Sequence, residues 1–471
     1  MKRSSLALLL SLGLVLATCT PADQPVPESE PGSEPEVESG AAGPTLADSR
    51  AFAAQTSLYE VFVRDFSTEG TFQGVIDGLD RIQDAGAEVV WLMPIHPVGE
   101  LRRKGTLGSS YSGRDYRGIN PNYGTAEDLH SLVEAVHARG MKIILDWVPN
   151  HTAWDHVWIE EHPEYYARNA EGEMTHPRDL AGNLTDWTDV AELDYGNPDL
   201  RRAMIDAMRY WLEDFDIDGY RVDVAGFIPP DFYREAIPEL RSVKPILMLA
   251  EWDEPWLHEV GFDLTYPWAS YGRLKEVWEG NMPAARFLQA EIEDLAQIPD
   301  GGLRMRMTTN HDETAWDEPP VTLFGGSDGA RAAFVAMALL PGPPLLYNGQ
   351  EVESPQVLEL FEREAIQWDR PGADQARAFY RSVIDLSRTH PSLATGGALE
   401  VVATDAEEDV IAYRRGNVVV LVNARSEPVS AAVQGVELAG AGSLLGGGAP
   451  EGPTVDLPAY GWRVLELASG G

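Results

Sequence analysis

Between residues 56 and 390, short apolar runs alternate with longer stretches in which apolar residues recur every three or four positions. The short runs are "SLYEVFV", "EVVWLMPI", "KIILDWV", "GYRVDVA", "PILMLAEW", "FDLTYP", "RMRMTTN" and "PLLYNGQE". Each is bounded by turn residues and rich in β-branched or aromatic side chains, so each predicts a strand. The stretch "TAEDLHSLVEAVHARG" (125–140) sets Leu129, Leu132, Val133 and Val136 on one helical face and ends at Gly140. "NPDLRRAMIDAMRYWLEDF" (197–215) is a second such helix. Eight strands alternating with helices predict an α/β fold, a (β/α)8 TIM barrel, which typically needs about 250 residues before insertions. An open doubly wound sheet would carry a Gly-rich phosphate loop after its first strand, and "RDFSTEGTFQGV" has none.

The alternation breaks in two places. After "KIILDWVPNH" no helix begins. Residues 150–192, rich in Trp, His, Asp and Pro, read as a small inserted domain after strand three. From residue 392 the pattern turns to short alternating strands, as in "DVIAYRRGNVVVLVNA", and predicts a C-terminal all-β sandwich over 392–471. The barrel then occupies 51–391. Ahead of it, Lys2 and Arg3 precede the apolar run "LALLLSLGLVLA" (6–17), too short for a membrane span. The single cysteine, Cys19 in "LATC", makes residues 1–19 resemble a bacterial lipoprotein signal. Export follows from that resemblance, with a lipid anchor on Cys19 as the membrane contact; plain secretion is the alternative. One cysteine allows no intramolecular disulfide. Residues 20–50, dominated by Pro, Glu and Ser, read as a disordered linker.

Charge narrows the partners. With 75 acidic against 36 basic residues the formal net charge is -39. Such a chain cannot neutralise phosphates along a nucleic acid, which argues against that partner class.

Candidate chemistry gathers where the predicted strands end, the rim on which barrel sites are built. Strand three ends with Asp146, Asn150 and His151. Strand four, "GYRVDVAG" (219–226), alternates Val222 and Val224 against Arg221 and Asp223. Strand five ends at Glu251, and strand seven at Asn310, His311 and Asp312. Carboxylates converging on one rim are costly to bury unless something compensates them, so packing alone does not explain the cluster. The aromatics of the insertion (Trp154, Trp158, Tyr165, Tyr166, Trp187) read first as its packing. "ELRRKG" (100–105) reads as a solvated charge run, and His96 as support for its loop.

These motifs, in this order, resemble the α-amylase family of glycoside hydrolases (glycoside hydrolase family 13). "DWVPNH", "GYRVD", the Glu of "LMLAEW", and "TTNHD" are similar to its four main conserved segments; "AELDY" and "SSYSGRDY" are similar to two others. The resemblance implies Asp223 as nucleophile, Glu251 as general acid/base and Asp312 as the third catalytic carboxylate. It implies substrate-binding roles for Tyr111, His151 and His311, and for Arg221 through the nucleophile it pairs with. Arg221 is expected to lower the pKa of Asp223, and apolar walls to raise that of Glu251. A calcium ion between insertion and barrel is a further implication, with Asn150 and Glu192 as candidate ligands. The chain departs from the family at Gly226 and Phe227, where a Lys-His pair is frequent. The implied activity is retaining hydrolysis of α-1,4-glucosidic bonds in starch, glycogen or maltooligosaccharides. A glucanotransferase or glucosyl isomerase with the same site, or a tethered glucan-binding protein, are the alternatives.

Overall fold

The computed structural model describes residues 46–394 and 397–468. The signal segment and most of the linker lie outside the described residues. The linker expected to run to residue 50 ends earlier, because Leu46–Ala53 is a helix. Its Ser49 hydroxyl donates to Asp263 at 2.7 Å, and Arg50 donates to the carbonyl of His258 at 2.8 Å. Those two bonds anchor a segment whose composition alone gives little reason to fold.

Eight strands form one parallel sheet in the order β8-β1-β2-β3-β4-β5-β6-β7. They are β1 (Leu58–Val61), β2 (Val89–Leu92), β3 (Lys142–Trp147), β4 (Gly219–Val222), β5 (Leu247–Ala250), β6 (Leu264–Thr265), β7 (Leu303–Arg304) and β8 (Leu345–Tyr347). A parallel bridge between Arg306 and Pro344 closes the sheet into the expected barrel. The strands are almost continuously apolar because helices cover them outside and side chains fill them inside. The covering helices start where their sequences allow. Ala126–Ala138 opens with a capping box between Thr125 and Asp128, and Pro198–Asp214 is capped by Asn197 with Pro198 in its first turn.

The insertion is pinned by a two-stranded antiparallel pair, His151–Ala153 with Val190–Glu192. The C-terminal region is a sandwich of a five-stranded and a three-stranded antiparallel sheet. The strand Val418–Asn423 shows why its run "VVVLV" is apolar at every position. Val419 and Leu421 pack between the two sheets, while Val418, Val420 and Val422 belong to the same core as the barrel. Both faces of the strand are covered.

Candidate active site

Sheet register assembles the centre. β3 and β4 pair so that Asp146 lies beside Arg221, and β4 and β5 pair so that Val222 lies beside Ala250. Asp223 and Glu251 are therefore the next residues on adjacent strands, at the C-terminal rim. β4 ends at Val222, two residues before the last position of the predicted alternation. Val224 is not on the strand; it takes φ 35 and ψ 47, a left-handed conformation that is a clear outlier for a β-branched residue. That turn aims the Val224 N–H at Glu251 Oε2, 2.7 Å away.

Arg221 sits beneath the carboxylates with no exposed surface. Its Nη1 lies 2.9 Å from both Asp146 and Asp223, and its Nη2 lies 3.1 Å from Glu251. The rings of Trp91, Tyr111 and Tyr266 surround its guanidinium at 5.2 to 5.6 Å. Arg221 does not line the cleft, so it holds the carboxylates rather than a substrate. Asp146 is also beneath the surface, accepting from Trp91 Nε1 at 3.2 Å and from the Tyr111 hydroxyl at 2.9 Å.

The cleft above this layer measures about 420 Å³. Asp223, Glu251, Asp312, Tyr111, His151 and His311 all line it. Every expected site residue except Arg221 thus faces one cavity. Tyr111 stacks on His311 at 5.1 Å, with its hydroxyl 2.8 Å from His311 Nε2. Asn310 caps the helix His311–Trp316, which puts His311 and Asp312 in its first turn. His311 bridges two acids: its Nε2 lies 3.2 Å from Asp312, and its Nδ1 is hydrogen-bonded to Glu60.

Burial and charge then separate the acids. Burial pushes the Asp223 carboxyl up to about 6, a shift that Arg221 opposes but does not cancel. The expected lowering by Arg221 is real as a contribution, yet desolvation outweighs it. Burial also raises Glu251, to about 8; Arg221 pulls it down, while Asp223 and Asp312 push it further up. Asp312 moves the other way. Burial alone would raise it, and the charge and hydrogen bond of His311 bring it below the usual carboxylate value. His311 is raised well above 6.5 in spite of burial, by Asp312 and Glu60. Burial lowers His151 to about 4, so its ring is neutral at pH 7.

Several participants escape a sequence reading. Glu60 is a buried carboxylate in the apolar run "LYEVFV", and that single charge is the signal which could have found it. Lys104, from the run expected to be solvated, lines the cleft and pairs with Asp189 at 3.0 Å. Trp187, expected to pack the insertion, also lines the cleft, as do Trp316 and Phe361. His96 behaves as expected: it is buried, with Nδ1 3.1 Å from the carbonyl of Gly118 and its ring against Tyr116, Trp147 and Trp211.

At the departure from the family pattern, a Cβ on Gly226 would lie 2.4 Å from the Trp252 ring. Phe227 lies between Trp187 and Trp252, with ring centroids 6.0 and 5.5 Å away. An aromatic row occupies the place of the Lys-His pair. The candidate calcium ligands each have one neighbouring partner, which leaves Asn150 Oδ1 and one Glu192 oxygen to other groups. Asn150 Nδ2 lies 3.2 Å from His151 Nδ1, and Glu192 accepts from the Arg178 N–H at 3.5 Å. Among the described residues no group of three His, Cys, Asp or Glu could hold a metal; calcium also uses amide and backbone carbonyl oxygens. No step below runs through calcium.

Fold and site together define a (β/α)8-barrel protein with an acidic centre at the C-terminal rim. The family model for the alpha amylase catalytic domain matches residues 46–260. The crystal structure of an alpha-amylase from Lactobacillus plantarum superposes with a TM-score of 0.77 at 30% identity, covering 89% of this chain and 100% of that one. The chain belongs to the α-amylase family. It is 27% identical to the Alpha-amylase MalA of Haloarcula japonica over 81% of its length, and 30% identical to an alpha-1,4-glucan:maltose-1-phosphate maltosyltransferase of Cereibacter sphaeroides over 79%. It spans 57% and 58% of the length of these two curated relatives.

Proposed function

We propose that this chain is a retaining enzyme that cleaves α-1,4-glucosidic bonds of starch, glycogen or maltooligosaccharides. The observation that carries the reading is the pair Asp223 and Glu251, which share one guanidinium on adjacent strands and whose pKa values are pushed apart, to about 6 and about 8. Between those values one carboxyl is ionised and the other holds a proton. These are the two states that a nucleophile and a general acid need.

Asp223 attacks the anomeric carbon while Glu251 gives its proton to the leaving glycosidic oxygen. The C–O bond to the leaving sugar breaks as the ester bond to Asp223 forms. Glu251, now ionised, takes a proton from water; the water oxygen attacks the anomeric carbon and Asp223 leaves. Two inversions return the α configuration. Asp312, ionised beside a protonated His311, is available to sugar hydroxyls, and Tyr111 offers its ring to the sugar face.

An NMR time course on maltoheptaose tests this. α-Anomer is the expected first product, and β-anomer would refute the assignment. Asp223→Ala is expected to remove turnover; equal background rates in both proteins would leave a glucan-binding protein. A second reading, transfer to a sugar in place of water, is supported by the relative named a maltosyltransferase. Products longer than the substrate would identify it.

We also propose, from residues 1–19 alone, that the chain is exported and lipidated on Cys19. Loss of detergent-phase partitioning in Cys19→Ala is the expected result.

A further inference from the structure

A second pocket, of about 430 Å³, is as large as the catalytic cleft and has a different chemistry. Four arginines line it (Arg64, Arg103, Arg114 and Arg363) against two glutamates, Glu69 and Glu100. In a chain with twice as many acids as bases, such a local excess of cations is unusual. Arg114 has its charge answered, by Glu100 and Asp155, both at 3.2 Å. The other three arginines turn to backbone carbonyls. Arg64 donates to Gly108 and Leu360, both at 2.9 Å; Arg103 donates to Gly99 at 2.7 Å; and Arg363 is hydrogen-bonded to Thr68. Asp65, the chain neighbour of Arg64, is raised by burial to about 7, so it supplies less than a full counter-charge at neutral pH.

Tyr123 also lines the pocket at 2% exposure, with Arg64 beside its buried hydroxyl. Arginine forks match the oxygens of a phosphate, and Tyr123, Asn120 and Asn122 match hydroxyl groups. The volume exceeds what a bare ion needs.

We propose that this pocket binds a phosphate group, carried by a small sugar phosphate or free in solution. The site is separate from the catalytic cleft but backs onto its wall. Gly108 and Leu360, which Arg64 holds, are respectively the neighbour of a cleft residue, Ser109, and a cleft residue itself. The proposal does not depend on the glycosidase reading, and its failure leaves that reading intact.

Calorimetry on the full chain tests it, with glucose 1-phosphate, inorganic phosphate and glucose as separate ligands. Saturable binding of glucose 1-phosphate without binding of glucose is expected. Equal affinity for inorganic phosphate would identify the free ion as the source. In the double variant Arg103→Ala/Arg363→Ala the affinity should fall at least about ten-fold, since each lost charge-assisted bond contributes about 1.5–3 kcal/mol. Asp223→Ala should leave it unchanged. No saturable binding by either phosphate ligand, or binding insensitive to the two arginines, overturns the proposal. So does binding abolished by Asp223→Ala, which would locate the ligand in the cleft.

Discussion

Glu60, on the first barrel strand, is hydrogen-bonded to Nδ1 of His311, 251 residues further along the chain. Both are buried. The bond fixes the imidazole ring, leaving Nε2 to face Asp312 and the Tyr111 hydroxyl. Glu60→Gln removes a charge that helps to hold the proton on His311. The His311 pKa, read by NMR, should fall, and Asp312 should lose part of the charge that keeps it ionised, with kcat falling more than KM rises. His311 has a folded pKa raised above 6.5. Its contribution to stability is therefore complete below pH 6.5 and is lost as pH rises through the folded value. The variant should show a shallower loss of stability over that interval.

A bell-shaped pH profile follows from the two raised carboxyls. Below about 6 Asp223 is protonated and cannot attack; above about 8 Glu251 has lost the proton it must deliver. The kcat/KM profile should peak between those values. Glu251→Gln should abolish the alkaline limb along with most turnover, since general acid–base catalysis contributes about 10²–10⁴-fold. It should also gain stability relative to wild type as pH rises from 4.5 towards 8. Across that interval folding of the wild type takes up a proton on Glu251, and folding of the variant does not. Equal pH dependence of Tm in both proteins would refute the raised value.

Removing Arg221 should be severe. Asp146, Asp223 and Glu251 lose their shared cation. Breaking a buried pair on one side costs about 3–5 kcal/mol. Arg221→Met should lower Tm accordingly, and the acid limb of any remaining activity should move to higher pH because Asp223 is no longer pulled down.

Gly226→Ala adds a methyl group that meets the Trp252 ring at 2.4 Å. Overpacking of this kind costs about 1–3 kcal/mol. Trp252 follows Glu251 directly, so the displacement should also reach the acid/base and reduce kcat. Unchanged Tm and unchanged kcat would show that the aromatic row is loosely held.

Calcium held through Asn150 and Glu192 should make Tm fall in EDTA and recover when the ion is added. An unchanged Tm would refute that site.

The amino-acid sequence by itself determined the barrel, the insertion and the β-sandwich, and of the seven site residues that its family resemblance implies, six line one cleft. The fold was legible because strand and helix periodicities are local; the site residues were legible through their resemblance to the family's conserved segments. The sequence also showed that Gly226 and Phe227 break the family pattern, but not why; the Trp252 ring over Gly226 supplies the reason. Tertiary structure alone decided what depends on groups distant in the chain. Glu60 joins His311 only when the sheet closes. Val224 leaves the strand because its N–H turns to Glu251. Lys104 meets Asp189 across two loops. The pKa order of Asp223 and Glu251 has the same origin. Sequence spacing reveals the arginine beside the nucleophile, but desolvation is set by everything packed around it, and here burial outweighs the nearest charge.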